Sequence, residues 1–173
     1  MAEYLTPLHD LFFYVSELEN SIALRESQYV WAWLLVAHII AMCLFAGTII
    51  MMDLRLMGVG NMSTAFSQVQ RRLFPWQMST MFISSATGLA LVWGNPLNYV
   101  TNIIFWLKML AMVIAAINAL AFHFITEYTV VDWDAGRTPP SGAKLAGWLS
   151  IVLWVNVILA GRLMPYALTW FRD

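Results

Sequence analysis

The chain has 173 residues, of which 61% are hydrophobic and only 11% are charged. Soluble domains carry about 25% charged residues, so this composition indicates an integral membrane protein. A net charge of -1 excludes a protein that binds nucleic acid through clustered basic residues. The single cysteine, Cys43, excludes an internal disulfide or a multi-cysteine metal site.

Residues 1–28 form an acidic segment that precedes the hydrophobic part of the chain. Within residues 7–22, apolar side chains recur at helical spacing, which predicts an amphipathic helix at the membrane interface. Because the polar face of this helix is acidic, we expect it to dock on the protein's own outer surface rather than on anionic lipid.

Four hydrophobic segments are each long enough to cross the roughly 30 Å hydrocarbon core as a helix. They lie near residues 29–52, 75–93, 101–125 and 145–170. Pro75 suits the first turn of the second span, and Gly94-Asn95-Pro96 is a strong stop at its end. A weaker amphipathic stretch, 63–73, precedes that span.

The predicted fold class is therefore all-α, a four-helix integral membrane bundle with an N-terminal amphipathic interfacial helix. The bundle is a single membrane domain over residues 29–170, followed by a short tail, 171–173. Four spans make a thin bundle with an aromatic-rich apolar surface in the lipid bilayer, which favours a homo-oligomer.

The basic residues in the short loops predict the orientation. The loops after spans one and three carry five of them, and the opposite side carries two. Because cytoplasmic loops are enriched in Lys and Arg, both termini are predicted to lie outside the cytoplasm. The five are Arg55, Arg71, Arg72, Arg137 and Lys144.

Four ionisable residues lie within the predicted spans, where such groups are costly and by default functional. They are His38, Lys108, His123 and Arg162. Counted from the outer ends of their spans, His38, Lys108 and Arg162 lie roughly 10–12 Å deep, and His123 lies about 18–20 Å below His38. No Asp or Glu lies in a predicted span, so we expect a ligand to supply the anion that pairs with the cations.

A histidine near two cations inside an apolar bundle matches the needs of haem b. Iron takes a neutral imidazole, apolar walls surround the macrocycle, and cations neutralise its two propionates. We therefore predict that His38 binds the iron and that Lys108 and Arg162 hold the propionates. His123 is the second candidate ligand, and its depth favours two stacked haems over one iron shared with His38. His9 is a further candidate for the outer haem, with a solvated surface position as the alternative.

Two other classes of function stay open. Lys108 and Arg162 could bind a small anion in a transporter or channel, or the chain could be an accessory subunit without a cofactor. Nine methionines could indicate copper, since thioethers select Cu(I), but methionine is also common filler in apolar cores. They are Met42, Met51, Met52, Met57, Met62, Met78, Met81, Met109 and Met112. The sequence indicates neither an electron donor nor an electron acceptor.

Several motifs together resemble a family of uncharacterised bacterial four-span integral membrane proteins. The motifs are His38, DLRLMG (53–58), FPW (74–76), TGL (87–89), FWLKMLAMVIAAINALAFH (105–123), SIVLW (150–154) and GRLMPY (161–166). The likeness covers about residues 21–166. It implies a relationship to transmembrane b-type cytochromes and the copper-resistance D group, and a location in the bacterial inner membrane.

The resemblance also implies roles for individual positions. The family pattern has a histidine at His38, a lysine at Lys108 and an arginine at Arg162, each matched by this chain. It has Asn and His at Asn118 and His123, and Tyr166 ends its last motif. These residues imply one or two haem b groups per chain, with copper a weaker candidate. The family often has a Glu three residues before the first histidine, where this chain has Leu35, so no proton-handling role is implied.

Overall fold

The computed structural model describes residues 6–60, 63–126, 134 and 138–170, which contain helices and no strands. The helices are α1 (Thr6–Ser16), α2 (Glu19–Glu26), α3 (Gln28–Met57), α4 (Phe66–Gly94), α5 (Pro96–Val100), α6 (Ile103–Thr126) and α7 (Ser141–Trp170). Three of the four long helices, α3, α6 and α7, are long and apolar enough to cross a membrane. The fourth, α4, is less apolar because Gln, Ser and Thr side chains interrupt its hydrophobic half.

Helix α4 begins earlier than the sequence predicts. It starts at Phe66, so Pro75 lies inside the helix and the prediction that Pro75 occupies the first turn is wrong. The carboxylate of Asp134 accepts hydrogen bonds from the backbone N–H and the hydroxyl of Ser67, which satisfies donors of the first turn. Proline removes one backbone hydrogen bond, and the exposed surface around it allows the helix to continue. The stretch 63–73 therefore belongs largely to α4, and the predicted stop at Gly94 is confirmed.

Helix α3 also runs further than predicted. It continues to Met57 and ends at Gly58, whose φ of 78° is the left-handed conformation that glycine adopts without strain. The expectation that no carboxylate lies in a span is therefore wrong, because Asp53 lies inside α3. The Asp53 side chain turns towards α7 and is only 5% exposed. The sequence predicts that the first span ends at residue 52, just before the charged Asp53. Packing against α7 keeps Asp53 inside helix α3.

The four long helices form an open arc in the order α4, α3, α7, α6. Neighbours in the arc pack side by side, whereas α4 and α6 at its two ends share no comparable interface among the described residues. All four meet where α3 ends and α4 begins, which we call the Gly58 end. A cluster of apolar side chains joins them there, formed by Met52, Leu56, Phe66, Phe122 and Ala143. The opposite end, where α4 stops, is the Gly94 end.

Helices α3 and α7 approach closely at Gly147. A Cβ atom on Gly147 would lie 2.8 Å from the backbone oxygen of Asp53 and 3.1 Å from Cβ of Leu56. Further along, the rings of Phe45 and Trp154 meet edge to face, with centroids 4.8 Å apart. Because the helices run antiparallel, these contacts set their register. Two helical turns from the Phe45–Trp154 pair, His38 therefore lies level with Gly161 and its neighbour on α7.

The N-terminal helices pack on the Gly94 end of the protein itself. Helix α1 packs mainly against α5, and α2 packs against α3 and α4. The fully buried hydroxyl of Ser21 donates to the carbonyl oxygen of Trp93 at 2.8 Å. A Cβ atom on Gly94 would lie 2.7 Å from the ring of Trp31, so the absence of a side chain there allows α3 and α4 to approach.

The α3–α7 contact leads to a direct test with a matched control in the same helix. We expect Gly147→Ala to destabilise the protein by about 1–3 kcal/mol, because the added methyl group overpacks against the backbone of α3. Gly142→Ala is the control, since a Cβ atom there meets nothing within 4 Å. Thermal unfolding in detergent measures both variants. Equal melting temperatures for the two would contradict the close approach.

Candidate functional site

His38 is half-buried between α3 and α4 and is held by a hydrogen bond that identifies its tautomer. Its Nδ1 lies 2.9 Å from the hydroxyl oxygen of Thr87 on α4. That hydroxyl donates its one hydrogen to the carbonyl of Ile83 at 2.7 Å, with the carbonyl of Ser84 at 3.1 Å. With the hydroxyl hydrogen assigned to the Ile83 carbonyl, the hydroxyl accepts from His38 and Nδ1 is assigned the ring hydrogen. In that tautomer, Nε2 carries the lone pair of the ring.

Gly88 gives the imidazole of His38 room against the backbone of α4. A Cβ atom at this position would lie 3.1 Å from Cε1 of His38, closer than an ordinary contact. The sequence TGL at 87–89 thus has a local purpose, since Thr87 orients the ring and Gly88 makes space for it. The family resemblance pointed to this motif, but the sequence alone did not connect it with His38.

Lys108 approaches the same histidine from the other side of the arc. Its side chain extends from α6 over α7, where Nζ lies 3.6 Å from the position of a Cβ atom on Gly161. The charge of Lys108 acts on the imidazole of His38, although α6 and α3 share no extensive interface. Because Gly161 lies level with His38, Nζ of Lys108 reaches the level of His38 from α6.

Arg162 follows Gly161 on α7 and so shares the level of His38, but its side chain is exposed. Its guanidinium carbon lies 5.7 Å from the centroid of the Tyr166 ring, a cation–π contact one turn along α7. In the described ranges, no carboxylate lies within ion-pairing distance of Lys108 or Arg162. The described part of the chain thus supplies no anion for these two cations.

The side chain of Asn118 contacts the backbone of α7. Its side-chain N–H donates to the carbonyl oxygen of Ala146 on α7 at 3.0 Å. Asn102 makes the same kind of bond to the carbonyl of Met164 at 2.9 Å, near the opposite end of α6. These two amides join α6, which carries Lys108, to α7.

His123 lies at the Gly58 end, away from His38. It is exposed and lines a cavity with residues of the first turns of α4 that include Arg71. Arg71 and Thr87, which accompany the two histidines on α4, are sixteen residues apart, or about 24 Å along the helix. The two imidazoles therefore lie beside parts of α4 that are too far apart for both to bind one metal ion.

The structure also places His9 away from the other candidates. His9 lies on α1 with its side chain 51% exposed, and its Nδ1 is 3.9 Å from a carboxylate oxygen of Asp10. Helix α1 packs mainly against α5 rather than against α3. Among the residues described, no group of three or more His, Cys, Asp or Glu side chains is arranged to hold a metal ion.

A buried polar cluster at the Gly58 end was missed by the sequence interpretation. Arg55 is 1% exposed and donates from Nε to the carbonyl oxygen of Thr64 at 3.1 Å. Burial alone would raise the pKa of Asp134, but hydrogen bonds from Ser67 and from the backbone N–H of Phe66, with the charge of Arg55, hold that pKa below its usual value. Arg55 therefore holds the fold together, although the orientation count treated it as a loop charge. Arg137, from the same count, lies outside the described residues.

The residues that the structure brings together define one candidate site. It consists of His38 with Thr87 and Gly88 on one side and Lys108 on the other, and Arg162 lies at the same level. It combines an imidazole held against Thr87 with a lysine from α6 that has no carboxylate partner among the described residues. Comparisons of the chain with protein-family models, with curated proteins and with solved structures find no match.

Proposed function

We propose that the protein is a membrane b-type cytochrome in which Nε2 of His38 binds the haem iron. The supporting observation is the contact of 2.9 Å between Nδ1 of His38 and the hydroxyl of Thr87, whose hydrogen is directed to Ile83. The tautomer assigned from these two bonds leaves Nε2 as the metal-binding nitrogen. Histidines that ligate metals characteristically donate their other ring N–H in this way, because the bond fixes the tautomer and the ring orientation. A histidine that only joined two helices could act as either donor or acceptor towards the hydroxyl of Thr87.

The other residues of the site have the chemistry that haem b requires. Lys108 is positioned to neutralise one propionate, and Arg162 is the candidate for the other. The cation–π contact with Tyr166 restrains the guanidinium of Arg162, which lowers the entropy lost when a propionate binds. Bound haem supplies reversible one-electron chemistry at its iron. The chain's part is to hold the imidazole, balance the propionate charge and surround the macrocycle with apolar helices.

The same proposal treats α4 as the fourth membrane span. Its 29 residues match the 30 of α3, beside which it runs antiparallel. Its hydroxyls donate to carbonyl oxygens of their own helix, as Ser79 does to Pro75 and Thr80 does to Trp76. Such bonds reduce the cost of placing hydroxyl groups in lipid. The exposed Arg71, Arg72 and Lys144 at the Gly58 end favour placing that end in the cytoplasm of a bacterial inner membrane, with a homo-oligomer as the assembly.

Removal of the proposed ligand is the first test. We expect His38→Ala, purified from haem-replete cells, to lose its haem absorbance, because no other imidazole among the described residues lies at that level. His9→Ala is the matched control and is expected to keep its haem, since His9 lies on the exposed face of α1. The reduced-minus-oxidised difference spectrum measures both. Full haem content in His38→Ala would disprove the assignment of the ligand.

A second test addresses the hydrogen bond that fixes the tautomer. Thr87→Val keeps the side-chain shape but removes the acceptor for Nδ1–H of His38. The imidazole becomes a poorer electron donor, the ferric state is less stabilised, and the haem reduction potential is expected to rise. Thr87→Ser keeps the hydroxyl and should leave the potential close to that of the wild type. A redox titration monitored by absorbance measures the potential of the wild type and of both variants. Equal potentials in all three proteins would argue against iron on His38.

A further inference from the structure

We propose that the cavity between the start of α4 and the end of α6 binds the phosphate group of an anionic phospholipid. The cavity has a volume of about 420 Å³ and lies at the Gly58 end of the arc. Its lining residues are Ser67, Gln70, Arg71, Phe74 and His123. The four on α4 are Ser67 and the residues three, four and seven positions after it, so they form one face of that helix. This face is opposite His123 on α6.

The donors of the cavity suit a phosphate monoanion. Arg71 supplies a permanent positive charge, and no carboxylate in the described ranges lies within ion-pairing distance of it. Gln70 adds an amide N–H, and His123 adds an imidazole from the facing helix. Ser67 already donates its hydroxyl to Asp134, so Arg71 and Gln70 are the donors on α4 that we assign to the phosphate.

The position of the cavity in the protein favours a lipid as the source of the phosphate. The apolar span of α6 extends from Ile103 to Phe124, so His123 lies at its boundary. Lipid hydrocarbon gives way to head groups at that level, which is where phospholipid phosphates lie. Phe74 is half exposed and forms the apolar wall of the cavity on the side that leads up α4. An acyl chain can therefore follow the gap between α4 and α6 while its phosphate contacts Arg71.

The proposed lipid site is independent of the proposed haem site. About 24 Å along α4 separates Arg71 from Thr87, so neither ligand would contact the other's residues. The sequence interpretation gave His123 to a second haem. The lipid proposal gives His123 another role, and the His123→Ala variant described below separates the two.

The test compares two neighbouring arginines that differ in the cavity they face. Arg71 lines the proposed site, whereas Arg72 lines a smaller cavity of about 170 Å³ on the α3 side of α4. The purified full chain is exchanged into mixed phosphatidylcholine and phosphatidylglycerol micelles, washed, and analysed by mass spectrometry for phosphatidylglycerol per chain. Arg71→Gln is expected to lower retention about fivefold, which corresponds to about 1 kcal/mol for one arginine. Arg72→Gln is expected to keep the wild-type value.

Several outcomes would overturn the proposal. Equal losses in the two variants would indicate unspecific attraction to a positive surface, and no loss in either would exclude the site. Displacement of phosphatidylglycerol by excess inorganic phosphate would make the cavity a site for a free anion. Loss of haem from His123→Ala would make it a haem site. If the wild-type protein holds no haem but its lipid retention depends on Arg71, the haem proposal fails and the lipid proposal stands.

Discussion

The close contact between α3 and α7 at Gly147 is the constraint on which the arrangement of the protein depends. Any side chain at Gly147 would meet the backbone of Asp53, so the two helices can touch there only through a glycine. The contact fixes the register of an antiparallel pair at the centre of the arc, and α4 and α6 pack on its two sides. Without that register, His38 on α3 would not lie level with Gly161 on α7, over which Lys108 extends.

At the level of His38 in the arc, neighbouring residues limit the position and the hydrogen bonds of the imidazole. The hydroxyl of Thr87 donates to the carbonyl of Ile83 in its own helix and accepts from Nδ1 of His38. Gly88 has no side chain, so the ring can lie against α4. Lys108 adds positive charge from the opposite side. With Nδ1 as the donor to Thr87, Nε2 is the remaining lone pair of the ring. An anionic ligand that also carries a metal satisfies both the imidazole and the cation.

The parts of the fold that depend on hydrophobic length and helical rise could be predicted from the sequence. Three spans and the shared level of His38 and Lys108 follow from these two quantities, since the rise per residue is constant. The burial of Asp53 could not be predicted, because whether a charge near a helix end faces water or a neighbouring helix is decided by tertiary contacts. The hydrogen bond of Asn118 could not be predicted for the same reason, since its partner is a backbone oxygen on another helix. Pro75 was misjudged because the cap of α4 comes from Asp134, distant in sequence.

The most direct test of the central claim is the reduced-minus-oxidised absorption spectrum of the wild-type protein, purified from haem-replete cells, with haem quantified per chain. A site built on the Nε2 lone pair of His38 predicts the spectrum of a b-type cytochrome and one haem for each chain. A folded, colourless protein without haem absorbance, which gains none when haem is added, would contradict the assignment and leave Lys108 and His38 as the elements of an anion site.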